Sequence, residues 1–176
     1  EYVLAINTPA YISKEIVQIK NDFNTRYGHV QAIKSSVQIL LIRFWQREEK
    51  EEALLQAIST VCLQHQPVEV FLKNFTAHDN GIYINVANPS PIVKLLKSLH
   101  ACLGLQRSQS HYVWHPHISI AQGLTAGKFE EATPAYANTE YASSFIADHI
   151  QLLKRDSTHD NFILLNEFEL SCMVRV

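Results

Sequence analysis

Two hydrophobic periods divide this chain into short strands and amphipathic helices. Tyr2-Val3-Leu4-Ala5-Ile6 is a β-prone run stopped by the turn chemistry of Asn7-Thr8-Pro9. Ser13 is placed to cap a helix through about Tyr27, because Ile12, Ile16, Ile19 and Phe23 recur at steps of four, three and four before Gly28. Val37 to Phe44 is apolar and β-branched enough for a buried strand, with Lys34, Ser36 and Gln38 on one parity at its entrance. Glu48 to about His65 forms a second amphipathic helix striped by Leu54, Leu55, Ile58, Val61 and Cys62, and Pro67 ends it. Residues 68–72 and 82–86 then predict a hairpin around His78-Asp79-Asn80-Gly81, where Asn-Gly is a strong turn signal.

The second half repeats the grammar. Ser90-Pro91 starts a helix whose apolar face is Ile92, Leu95, Leu96, Leu99 and Leu103, with Gly104 as its stop. A polar loop from Gln106 to Ser110 leads through His111-Tyr112-Val113-Trp114 into His115-Pro116-His117-Ile118-Ser119-Ile120-Ala121, a short strand with two unlike faces. Gly127 and Pro134 break the pattern from Gly123 to Tyr136, which predicts a loop and a helical turn or two. Residues 145–153 and 162–170 read as a closing hairpin across the polar loop 155–161. The expectation is an α+β fold: one domain over residues 1–176, with two related lobes of mainly antiparallel sheet, outer helices and a shared cleft.

Composition narrows the function. A 176-residue chain that is 47% hydrophobic can bury a sizeable core. No run of about 18 apolar residues predicts a membrane span, and the first residues lack the basic and apolar regions of a secretory signal. A formal charge of -2 argues against gripping a long nucleic-acid duplex through counterion release, but leaves a small or terminal phosphate open. Cys62, Cys102 and Cys172 have no metal-type spacing and suit a reducing compartment, so a cytoplasmic location is expected.

The chemistry concentrates in the strand after Pro116. Side chains repeat every second residue, so His117 and Ser119 share one face while Ile118 and Ile120 pack on the other. An imidazole that exchanges protons beside a hydroxyl that holds an anionic oxygen suits phosphate ester chemistry. A lone strand histidine is ordinarily a packing residue; the paired serine and the surrounding order of elements favour a pocket. His111, His115 and His117 form an H-x3-H-x-H array, but no acidic or cysteine partner lies nearby in sequence, so no metal site is expected. Tyr112 and Trp114 could stack a base, although packing beneath the loop is the simpler role for Trp114.

At His117-Ile118-Ser119-Ile120 the chain resembles the two-histidine phosphoesterase superfamily, which includes 2'-5' RNA ligase-like proteins and cyclic phosphodiesterases. That family carries a His-x-Thr/Ser-hydrophobic motif once in each lobe, on strands facing each other across a cleft. The second motif matches here. The first should fall near Lys34, where the aligned residues are Ser36-Val37-Gln38-Ile39, so Ser36 takes the place of histidine and Gln38 that of threonine. Gln122 also stands where family members often carry arginine.

The resemblance implies His117 as acid/base group and Ser119 as phosphate ligand, with Ser36 and Gln38 lining the opposing half; Lys34, on the same parity, either attracts the anion as a binding group or is only solvated. It implies a nucleotide, cyclic phosphate or RNA end as partner, and no cofactor. Neither serine nor glutamine titrates usefully near neutral pH, and losing one acid/base group typically costs roughly 10² to 10⁴ in rate. Two readings therefore stand: a weakened or altered phosphodiesterase, and a noncatalytic phosphate-binding module. His78 or His29 could replace the missing histidine only if folding brings it to the cleft. Oligomeric state is not legible.

Overall fold

The computed structural model describes residues 1–155 and 161–171. The chain alternates strands β1 (Tyr2–Asn7) and β2 (Gln38–Phe44) with helices α1 (Ala10–Tyr27), α2 (Gln31–Lys34) and α3 (Glu51–Cys62). Then follow the hairpin β3 (Val68–His78) and β4 (Gly81–Val86), helix α4 (Ser90–Leu103), and strands β5 (Ser110–Tyr112) and β6 (His117–Ala121). Helix α5 (Ala126–Ala137) precedes β7 (Ala142–Ala147), β8 (His149–Lys154) and β9 (Ile163–Glu169).

All recorded strand pairs are antiparallel, and they form one curled sheet in the order β7-β3-β4-β6-β2-β1-β8-β9, with β5 added on β2. This is the expected α+β architecture. Its two lobes are nonetheless not the two halves of the sequence. One lobe is β7-β3-β4-β6 with α1 and α5; the other is β2-β1-β8-β9 with α3 and α4. They join where β2 meets β6 at the single residue pair Ile39 opposite Ile118.

Several local expectations change. Ser13 does not cap α1: Pro9 occupies the cap position, and the Ser13 hydroxyl instead meets that of Thr8 at 2.6 Å. Likewise Ser90 is the first residue of α4, its cap position is Pro89, and no side-chain cap bond forms there. The second helix is shorter than residues 48–65, opening as a 3-10 turn over Glu48–Lys50 and closing at Cys62. Helix α5 runs twelve residues despite Gly127 and Pro134. Gly127 sits in its first turn, and side-chain bonds from Thr133, Asn138 and Thr139 to carbonyls four residues back support its last turns. The single strand read over residues 145–153 is two. At Asp148 the chain leaves β3 in one lobe and joins β1 in the other. Part of the loop between β8 and β9, and Cys172, lie outside the described residues.

The apolar stripe of α1 holds one exception that shapes the site. Lys20 falls in line with Ile16 and Phe23 and is 1% exposed, while Ile19 lies at the stripe's margin. Its ammonium donates to the Ser35 carbonyl at 2.9 Å, the Ser35 hydroxyl at 2.7 Å and the Ser36 carbonyl at 3.3 Å. A buried cation must be ringed by acceptors, and these three curl residues 35–36 back toward α1 before β2 begins.

Candidate active site

Pro116 is buried and cannot donate to a ladder, so strand β6 opens at His117. The imidazole Nδ1 lies 2.8 Å from the His115 carbonyl oxygen. A carbonyl only accepts, so Nδ1 carries the proton and Nε2 keeps its lone pair. Burial holds the His117 pKa below the ordinary histidine range, and the neighbouring His78 and His115 push the same way against the opposing pull of that carbonyl. His117 is therefore set up to accept a proton. Two residues on, the Ser119 hydroxyl oxygen is shielded from solvent with no hydrogen-bond partner among the described residues.

Residues directly opposite in an antiparallel pair share a face, so the register shows what surrounds these two side chains. Tyr83 pairs with Ser119 and with Thr76, while Asn85 pairs with His117 and with Lys73. Across the lobe boundary, one step either side of Ile39–Ile118 sets Gln38 opposite Ser119 and Leu40 opposite His117. Asn7 pairs with Gln38. A polar row, Asn7, Gln38, Ser119, Tyr83 and Thr76, thus crosses five strands on the His117 face. No motif marks Tyr83, Asn85, Thr76 or Lys73 in the sequence, although the parity of Ile82-Tyr83-Ile84-Asn85 is a signal that carries the first two.

Of the residues expected in the opposing half, Gln38 stands in that row. Lys34 and Ser36 do not share a strand face with it. Lys34 ends the four-residue helix α2, and Ser36 lies two residues before β2, both exposed. The parity expectation requires a strand already running at residue 34; the Lys20 clamp and a bond from the Thr8 hydroxyl to the Val37 carbonyl delay it to Gln38. In the pseudo-two-fold relation about Ile39 and Ile118, the counterpart of His117-Ile118-Ser119 is Gln38-Ile39-Leu40, not Ser36-Val37-Gln38.

Folding does bring a second imidazole beside the first. His78 ends β3, stacks on Tyr83 with centroids 4.5 Å apart at 20°, and lies 6.2 Å from the His117 ring. Tyr83 meets His117 edge-on at 4.5 Å. The strand is longer than residues 68–72 because Asn74, at φ 55°, absorbs a bulge, and because the turn is Asp79-Asn80, both at positive φ, rather than Asn-Gly. Gly81 has a different duty, since a Cβ there would collide with the Tyr83 phenol. His29 is engaged elsewhere, with Nε2 2.9 Å from the Gln122 carbonyl.

Tyr112 and Trp114 stack on each other at 5.7 Å and both lie against His100 of α4. Among the described residues no three His, Cys, Asp or Glu side chains converge to hold a metal ion, and no helix is long and apolar enough to cross a membrane.

Residues 12–159 match the family model of the 2'-5' RNA ligase superfamily. Among curated proteins, "Putative phosphoesterase ABC1741" of Shouchella clausii is 26% identical over 147 residues, covering 81% of this chain and 85% of that one. "Putative phosphoesterase GWCH70_0799" of a Geobacillus strain is 24% identical over 160 residues, covering 89% and 84%. The fold is shared with TT0787 of Thermus thermophilus (TM-score 0.69, 13% identity, 98% of each chain). It is shared also with E. coli LigT solved with 3'-AMP (TM-score 0.66, 15% identity, 96% of this chain and 97% of that one). LigT has been solved with NADP+ and with ATP as well.

Proposed function

The chain belongs to the 2'-5' RNA ligase superfamily, and from that premise we propose that it binds a nucleotide or RNA-end phosphodiester on the His117 face and hydrolyses 2',3'-cyclic phosphates at a reduced rate. The observation that carries this reading is the pair His117 and Ser119: a neutral imidazole with Nε2 free, two residues from a shielded hydroxyl that lacks a partner among the described residues. A buried hydroxyl left unpaired costs free energy in the resting protein, and a phosphate oxygen would satisfy it. His117 takes the proton from the attacking water, Ser119 donates to a nonbridging oxygen, and the Gln38 amide and the Lys73 ammonium offer further donors from the flanking strands. The nucleotides bound to LigT support the ligand class.

A second reading has its own observation. Gln38 and Leu40 occupy the place related by symmetry to His117 and Ser119, and neither can transfer a proton, which favours a module that binds the same phosphate without turnover.

The deciding experiment is turnover of nucleoside 2',3'-cyclic phosphates by the wild-type protein and by His117→Ala, with binding of the same compounds measured in parallel. Turnover lost in the variant while binding persists supports the enzyme. Binding without turnover supports the module, and neither binding nor turnover removes the ligand class.

A further inference from the structure

We propose that His78, on a different strand from the family's first motif, supplies the proton for the leaving oxygen, so that the site regains two imidazoles by recruiting the tip of the β3–β4 hairpin. The inference rests on His117 acting as the proton acceptor of a phosphodiester site. Three observations place His78 in that role. Its ring lies 6.2 Å from the His117 ring, close enough for one phosphate group to contact both. Its Nδ1 is 3.2 Å from the Asp79 carboxylate, which can only accept, so Nδ1–H is engaged there and a proton given to substrate comes from Nε2. Tyr83 fixes the spacing, stacked on one imidazole and edge-on to the other.

The division of labour follows from the surroundings. His117 is half-buried and faces His115 from its own segment, with His78 and Tyr83 from the hairpin; none of these offers it a carboxylate in contact. His78 is more open and faces Asp79, Tyr83 and His117. In the reaction, water oxygen attacks phosphorus while His117 Nε2 takes its proton. The bond from phosphorus to one of the two ribose oxygens breaks, its electron pair goes to that oxygen, and the oxygen receives the proton of His78. The product is a ribose phosphomonoester; His117 then releases one proton to solvent, and His78 regains one.

The test compares two substrates in the wild-type protein, His78→Ala, His78→Gln and His117→Ala. One is a nucleoside 2',3'-cyclic phosphate, whose alkoxide needs a proton. The other is a p-nitrophenyl nucleoside phosphodiester, whose phenolate leaves without one. Both His78 variants should lower kcat on the cyclic phosphate by about 10² to 10⁴ while KM stays within about threefold, and should keep kcat on the p-nitrophenyl ester within about fivefold. His117→Ala should lower both. Equal losses on the two substrates in the His78 variants would mean a structural role and overturn the inference, as would wild-type turnover in them. Loss in His117→Ala with none in the His78 variants would overturn the inference and leave the site reading intact. Retained turnover in His117→Ala would overturn both. Binding of the cyclic phosphate with no turnover by the wild-type protein would overturn the inference in favour of the binding module.

Discussion

Ile39 pairs with Ile118 across β2 and β6, and that one contact fixes which residues face each other over the lobe boundary. Read along the sequence, the resemblance to the first motif falls at Ser36 and Gln38; the residues that flank Ile39 in this pair, as His117 and Ser119 flank Ile118, are Gln38 and Leu40.

The register makes a repair experiment specific. In the His78→Ala background, Gln38→His combined with Leu40→Thr should raise kcat/KM on 2',3'-cyclic nucleotides by about tenfold or more, within the roughly 10² to 10⁴ ascribed to one acid/base group. Ser36→His with Gln38→Thr should give no gain, because residue 36 precedes the strand. A gain from the second pair alone would refute this register.

Ser119→Ala separates ligand binding from stability. The hydroxyl lacks a partner among the described residues, so its removal should leave the urea midpoint unchanged or raise stability by up to about 1 kcal/mol, rather than lower it. Affinity for inorganic phosphate and nucleotide should fall about tenfold. A large loss of stability would show that the hydroxyl is satisfied in solution.

The acid limb of the pH–rate profile reports His117. Its pKa in the folded protein lies below the free-histidine value of 6.5, so at neutral pH it is unprotonated and competent as a base. The acid limb of the kcat/KM profile should be centred below 6.5. His117→Ala should abolish the decline along with the activity. A limb centred above 6.5 would contradict the proposed environment.

Lys20 should give the protein an unusual gain in stability at alkaline pH. Its pKa is pushed down to about 8 by burial, from 10.5. Below 8 the group is charged in both folded and unfolded chains, and the folded chain carries the full cost of burying it. Between 8 and 10.5 the folded chain has released a proton that the unfolded chain still holds, so stability rises with pH; above 10.5 both are neutral. The gain is at most about 3 kcal/mol, because three acceptors around the ammonium also favour its charged form. Urea titrations at pH 7.5 and 10.5, compared with Lys20→Met, should show the wild-type protein gaining relative to the variant. A constant difference would mean that Lys20 does not change its protonation across that interval.

Much of this fold is legible in the sequence because its elements are locally consistent. The stripe on α4 needs only a helical period, and the two-faced strand at His117 needs only Pro116 and alternation. The departures come where one side chain reaches across the fold. Lys20 falls within the apolar stripe of α1 with no sequence signal for its partners, yet its bonds to Ser35 and Ser36 hold the chain just before β2 begins. Pro134 reads as a helix breaker, yet threonine and asparagine side chains support the carbonyls around it. His78 is legible as chemistry but not as place. An extension of β3 around the Asn74 bulge carries it to His117, and strand length beyond a polar interruption has no clear periodic signature.

The site assignment meets its most direct test in a side-chain and amide NMR titration with 3'-AMP, followed by competition with inorganic phosphate. The expected result is a saturable shift of the His117 Nε2 resonance, with the amides of Gln38, Tyr83 and Ser119 moving in step and inorganic phosphate reversing the change. A groove of about 700 Å³ between α3 and β9, lined by Leu55, Ser59, Thr60 and Phe168, offers a contrasting location without an imidazole. Shifts confined to that groove with His117 unmoved, or no saturable shift at all, would contradict the assignment.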